Sequence, residues 1–273
     1  MKLILMEIGQ KTTQKEISMF SIHIGLKSIY YLLSNEKKII DSKKKVFSKN
    51  NDYSNHLLDI KKTIKSIEKN DIVIDNLKLI YYDSPLSLVP TSLFNKKYLS
   101  EYLKFNTRFK PNSFINSYSF CENSITGLYV SNKKINNYFS KKFSSFKEFH
   151  YGSVLINEYK QKCNVDNKKN IFLNFHHESF DIVVFNEKKL KFYNNFKCNS
   201  TEDYLYYTLF TCSQLNLNTE KIHVACTGEI SLSSSKYELL YKYVRNIEII
   251  NDKFSTPTFT NISEKNILFN TFQ

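Results

Sequence analysis

Two stretches of this sequence share one pattern: SIYYLLSNEKKI from Ser28 and SFDIVVFNEKKL from Ser179. In each, a serine opens an apolar run and Asn-Glu-Lys-Lys begins seven residues later. A structural unit used twice constrains a fold strongly, because each element of one half then needs a counterpart in the other. The first copy predicts a strand over Ile17–Ile24, a turn at Gly25-Leu26-Lys27, and a second strand from Ser28 to Leu33. The tetrad from Asn35 turns into a third strand at Ile39-Ile40. The second copy predicts strands over Ile171–Phe175, Ser179–Phe185 and Leu190–Phe196, with a polar turn at His176-His177-Glu178.

The segments that follow each meander also match in kind. Leu57, Ile60, Ile64 and Ile67 recur at helical spacing after the first. After the second comes STEDYLYYTLFTCSQ, with Ser200 or Thr201 as cap ahead of Glu202 and Asp203, and Leu205, Leu209 and Cys212 on one face. Short apolar strands come next, Leu77–Asp83 and Lys221–Thr227, each leading to a helix containing KYLSEYLKF or KYELLYKYV. The order strand–strand–strand–helix–strand–helix, repeated, predicts two mixed sheets with three-strand meanders and crossover helices. Strands and a helix from Phe114 to His150 form an insertion, and a helix over Ser153–Lys162 bridges the halves. The expected division is 15–150 for the first half and 151–273 for the second.

Of the 273 residues, 41% are apolar, enough for a substantial core. The net charge of +13 attracts phosphate non-specifically, but only Arg108 and Arg245 carry the planar fork that reads bases and phosphates. Nucleic acid is therefore a disfavoured partner. The segment Tyr138–Tyr151 interleaves aromatics with lysines, and its ordinary reading is rings toward a core with lysines in solvent. The five cysteines lack CxxC spacing and read as reduced, buried thiols. No apolar run approaches the roughly 20 residues of a spanning helix, so a cytoplasmic protein without a transmembrane segment is expected. His176-His177-Glu178 is a poor metal site, because neighbouring side chains in a strand diverge and a turn seldom converges three. In SPLSLVP, Pro85 and Pro90 hold Ser84 and Val89 extended, which predicts a rigid strand-to-helix connection with Thr91 or Ser92 near the cap.

The duplicated meander resembles the actin-like (RNase H-like) ATPase fold. More specifically, SLVPTSLFNKKYLSEYLKFN from Ser87, FDIVVFNEKKLKFYNNF from Phe180, TEDYLYYTL from Thr201 and HVACTGEIS from His223 resemble a Bacteroidota family classed as a domain of unknown function. The resemblance covers roughly Ile17 to Phe254. A more distant similarity is to the actin-like protein of type IV pilus assembly.

In actin-like ATPases the first turn of each half holds phosphate with Asp-x-Gly: glycine admits the phosphates and aspartate organises Mg²⁺. The matching letters here are His23-Ile24-Gly25 and Asn174-Phe175-His176. Thr227-Gly228-Glu229 stands where the resemblance implies a pair of adenosine-binding glycines. Both aspartates are replaced and half the glycines are gone. The resemblance thus implies a non-enzymatic actin-like scaffold or adaptor with a degenerate nucleotide site, no cofactor or metal, no catalytic residues, and a protein partner. Two alternatives stand beside it. One is a nucleotide-binding ATPase or sensor using Gly25, Lys27, Ser28, Ser179 and Gly228; the other is a basic nucleic-acid-binding protein.

Overall fold

The computed structural model describes residues 16–17, 19–26, 28–34, 39–47, 53–69, 73–74, 76–107, 109, 113–165, 169–176 and 178–250. Strands β1 (Glu16–Ile17), β2 (Met19–Ile24), β3 (Ser28–Ser34) and β4 (Ile39–Val46) lead into helix α1 (Tyr53–Glu68). Next come β5 (Val73–Ile74), β6 (Leu77–Tyr81), β7 (Leu86–Pro90), two 3-10 turns (Thr91–Leu93 and Lys96–Tyr98) and α2 (Leu99–Asn106). The chain continues through β8 (Phe114–Phe120), β9 (Ile125–Ser131), α3 (Lys133–Lys142) and β10 (Lys147–His150). Helix α4 (Tyr151–Val165) precedes β11 (Lys169–Phe175), β12 (Ser179–Asn186) and β13 (Lys189–Lys197). The last elements are α5 (Thr201–Gln214), β14 (His223–Gly228), α6 (Ser235–Tyr241) and β15 (Asn246–Ile249). Two compact units emerge, residues 1–79 with 133–147 and residues 80–132 with 148–273.

The chain carries two five-stranded sheets of identical order, β10-β6-β2-β3-β4 and β15-β14-β11-β12-β13. Their registers repeat as well. Ser28 pairs with Val46 and Leu33 with Asp41; Ser179 pairs with Lys197 and Val184 with Phe192, each partner 151 positions on. Both ladders shift register at the same place, between Leu33 and Ser34 and between Val184 and Phe185. A bulge is a local irregularity that no sheet requires at a given residue, so its recurrence marks one unit used twice. The first turns close alike: the Gly25 N–H donates to the Ser28 carbonyl at 2.9 Å and the His176 N–H to the Ser179 carbonyl at 2.9 Å. The fold is a duplicated actin-like fold.

Chemistry explains why the strands read as they do. β12 is buried along its length except at its ends, hence the unbroken apolar run around Asp181. β13 lies at the sheet edge and none of its residues is fully buried, hence its mixed sequence. On α1, Ile60, Ile64 and Ile67 are buried as their spacing predicts. On α4, Tyr151, Leu155, Ile156, Tyr159 and Cys163 form the stripe that meets Phe172, Val183 and Phe185 of the second unit. All five cysteines are buried and unpaired by disulfides.

Several expectations shift on contact with the structure. The Pro85–Pro90 stretch is not a loop before a helix: Leu86–Pro90 is an edge strand paired with β9, and Pro90 ends it, where a missing donor costs little. Neither Thr91 nor Ser92 caps α2; Asn95 caps the second 3-10 turn, its side chain accepting from the Lys97 N–H. The strand from Leu77 stops at Tyr81, because Asp83 turns left-handed at φ 56°. Ser200 caps α5 within a capping box closed by Asp203, but the fully buried positions are Tyr204, Thr208, Thr211 and Cys212. Leu205 is only partly buried, packing beside them.

The second Asn-Glu-Lys-Lys tetrad is a two-residue hairpin, with Asn186 paired to Lys189 and Glu187 and Lys188 at φ 50° and 61°. The first tetrad, 35–38, lies outside the described residues. Two adjacent left-handed residues without glycine cost about 1 kcal/mol each. Lys188→Gly is therefore expected to raise the unfolding free energy by about 0.5–1 kcal/mol in urea titration.

Candidate functional site

The site is built on the ends of β11 and β14, the middle of β12 and the start of α4, all in the second unit. Asp181 lies opposite Asn174 in the β11–β12 ladder and opposite Asn195 in the β12–β13 ladder. Its carboxylate, only 1% exposed, accepts four hydrogen bonds. Oδ2 receives His176 Nε2 at 2.7 Å and Asn174 Nδ2 at 3.1 Å; Oδ1 receives Asn195 Nδ2 at 2.9 Å and the Tyr193 hydroxyl at 3.1 Å. A charge buried this deeply persists only when its lone pairs are satisfied.

Asn174 links that carboxylate to β14 and α4. Its amide Nδ2 also donates to the Tyr151 hydroxyl at 2.8 Å, while Oδ1 accepts from Thr227 Oγ1 at 3.0 Å. The Tyr159 hydroxyl hydrogen-bonds to the same Thr227 oxygen. Because Thr227 donates to Asn174, Tyr159 donates to Thr227, and the amide orientation is fixed by having a carboxylate on its nitrogen side. The chain of bonds runs Tyr159 to Thr227 to Asn174 to Asp181.

His176 occupies the end of this network. Burial alone lowers its pKa, but the Asp181 hydrogen bond and charge, with Glu229 and Asp83 nearby, raise it above the ordinary imidazole value. For Asp181 the directions mirror this: burial raises, while the His176 bond and charge and the Asn195 and Asn174 amides hold it below the usual carboxylate value. The two form an ion pair, with the His176 side chain 19% exposed. Lys236 Nζ donates to the His176 carbonyl at 3.4 Å and sits 4.6 Å above the Tyr204 ring. His150 is the opposite case. It accepts the Gly152 N–H at Nδ1 and donates from Nε2 to the Ser84 carbonyl, so it is neutral, and burial brings its pKa down to about 4.

Ser179 and Gly228 approach the same bend. The Ser179 carbonyl holds the His176 N–H, and Gly228 pairs with Phe175 at φ +90°. A Cβ on Gly228 would stand 2.2 Å from the Phe175 carbonyl oxygen, and that oxygen already accepts the Glu229 N–H at 2.8 Å. Gly228 is thus required by the close approach of β14 to β11.

Gly25 and Ser28 lie in the first unit, and Lys27 is outside the described residues. The Gly25 carbonyl accepts His56 Nε2 from α1 at 3.0 Å, and the His56 ring stacks on Phe47 at 4.2 Å. His23, fully buried beside Ser21, is held neutral: burial and then the Lys78 charge bring its pKa down to about 3. His177 also falls outside the described residues. Among the described residues no cluster of three or more His, Cys, Asp or Glu is placed to hold a metal. Sequence reasoning missed Asp181, Tyr151, Tyr159, Tyr193 and Asn195. The available signal was one carboxylate inside an apolar strand, which demands buried partners.

The pair has a defined pH window. The raised pKa of His176 gives stability that is complete below its unperturbed value of 6.5 and lost as pH rises through the folded value. The depressed pKa of Asp181 gives stability present above its unperturbed value of 3.8 and lost as pH falls through the folded value. Urea titrations should place the largest contribution between those two unperturbed values, and His176→Gln should flatten the alkaline limb. Asp181→Ala, which strands His176 and three other donors, is expected to cost about 3–5 kcal/mol. Gly228→Ala should cost about 3 kcal/mol or more through strain and overlap.

The fold has counterparts among solved structures. A Bacteroides thetaiotaomicron protein with actin-like ATPase fold and unknown function is 18% identical, with a TM-score of 0.73 over 93% of this chain and 96% of that one. The PilM-PilN type IV pilus biogenesis complex contains a chain 10% identical, with a TM-score of 0.51 over 94% of this chain and 97% of that one. No curated protein matches the sequence. The family described as protein of unknown function (DUF3822) matches residues 9–247, and to that family the chain belongs.

Proposed function

We propose that this protein is a non-enzymatic, cytoplasmic actin-like scaffold or adaptor whose nucleotide site has degenerated, with 15–150 and 151–273 as its ancestral halves. The observation that carries the reading is His176, ion-paired to Asp181 at 2.7 Å where the resemblance calls for a phosphate-cradling glycine. Phosphoryl transfer needs open backbone donors, a metal and a carboxylate to organise it. At the two aspartate positions stand His23, neutral at physiological pH, and Asn174, whose amide is committed on both sides. Neither brings the negative charge that would hold Mg²⁺.

Two described groups beside these turns are also engaged. The Gly25 carbonyl is held by His56, and the Asp181 charge is neutralised by a protein cation. A site whose electrostatics are satisfied internally has little differential affinity for a nucleotide. Protein contact is then the mode of action that remains for an actin-like body. The similarity to PilM, seen in a complex with PilN, supports a protein partner of the present chain.

Calorimetry of the full chain with Mg-ATP and Mg-GTP is expected to give no saturable heat, while affinity capture returns one defined protein. Phosphate release that is above background in the native chain and absent from a His23→Ala variant would overturn the reading.

A further inference from the structure

The positive charge of this chain is not shared between its two units. Residues 1–79 with 133–147 hold 20 lysines against 9 Asp and Glu; the larger second unit holds 19 Lys and Arg against 17. Eleven of the thirteen excess charges thus belong to the smaller unit. Both arginines, Arg108 and Arg245, lie in the other.

Seven of the first unit's twenty lysines lie on α1 and α3. These helices lie side by side, with Lys142 ion-paired to Glu68 at 2.6 Å and the Lys61 ammonium 5.3 Å from the centre of the Tyr138 ring. They carry seven lysines and two carboxylates. Both carboxylates are engaged: Asp59 accepts the Tyr31 hydroxyl at 2.9 Å, and Glu68 holds Lys142. Lys61, Lys62, Lys65, Lys134 and Lys141 are exposed. On α1, Leu58 is 56% exposed just before Lys61 and Lys62, an apolar side chain at the head of a cationic stripe.

We propose that the outer face of α1 and α3 binds an anionic lipid bilayer surface. Lysine is a compact, rotatable charge suited to a diffuse field of headgroups, and the face lacks arginine forks that would read phosphates individually. An exposed leucine flanked by ammonium groups suits a bilayer boundary, with methyls inward and charges at the headgroups. Single-stranded nucleic acid fits less well, because stacking platforms need open rings. Tyr138 has Lys61 over its face, Phe139 is fully buried, and Phe143 stacks on Phe139 at 5.7 Å. This surface is independent of the His176–Asp181 bend, so it stands or falls separately from the adaptor reading.

The test is co-sedimentation of the full chain with vesicles of phosphatidylcholine alone and with about one-third phosphatidylserine, alongside mobility shifts with single- and double-stranded DNA. Binding should require phosphatidylserine and weaken as salt is raised, since screening shortens the reach of surface charge. The variant Lys61→Glu/Lys65→Glu/Lys141→Glu should lose on the order of a hundredfold in vesicle affinity. Leu58→Ser should weaken it less. A matched triple on exposed lysines of the second unit, Lys189→Glu/Lys191→Glu/Lys221→Glu, should bind as the native chain does, with circular dichroism confirming that both triples fold. Absence of phosphatidylserine-dependent binding at physiological salt overturns the proposal. So does an equal loss in the matched triple, or tighter binding to DNA than to vesicles.

Discussion

The second half of this protein is organised by one buried carboxylate. Asp181 stands in an apolar strand where a lone charge would be prohibitive, and four donors from β11, β12–β13 contacts and the bend at His176 make it tolerable. Removing one partner of such a pair costs far more than the pair contributes relative to an apolar isostere, so the network fixes geometry more than it adds stability. The consequences run outward: Asn174 is oriented by Asp181, Thr227 by Asn174, and Tyr159 of α4 by Thr227. One strand's charge thereby ties β11, β12, β13, β14 and α4 into a single polar core.

The two copies show how a shared backbone supports different chemistry. Both close the first turn with the same backbone bond and bulge at the same place. In the first copy His23 is uncharged and His56 donates to the Gly25 carbonyl. In the second the turn is ionic, with His176 charged by Asp181. Hydrogen bonding and register preserved the frame while side chains at the frame's bend changed role. Gly228 takes its left-handed conformation because β14 approaches Phe175 closely there.

The duplicated sheet was legible because its signal is local. The serine, the apolar run and the tetrad are contiguous, and strand, turn and helix periods can be read within windows of ten to twenty residues. The polar network was not, because its members come from positions 151, 159, 174, 176, 181, 193, 195 and 227, and only pairing register brings them together. Asp181 could have raised the question, but sequence alone names no partner for it. The Pro85–Pro90 stretch was misread for a related reason. Proline geometry says extended, and only the neighbour β9 decides between connection and edge strand. The charge asymmetry lay hidden in a uniform lysine count until α3 folded beside α1, far from it in sequence.

On the adaptor reading, a protein cation fixed by Asp181 stands at the bend where an actin-like ATPase would receive phosphate. Imidazole ¹⁵N shifts of the full chain followed against pH test it most directly. His176 is expected to be still mostly protonated just above pH 6.5, with His150 and His23 neutral there and no change at His176 on adding Mg-ATP. A His176 ring already neutral at pH 6.5, or one whose signals move with Mg-ATP, would contradict it.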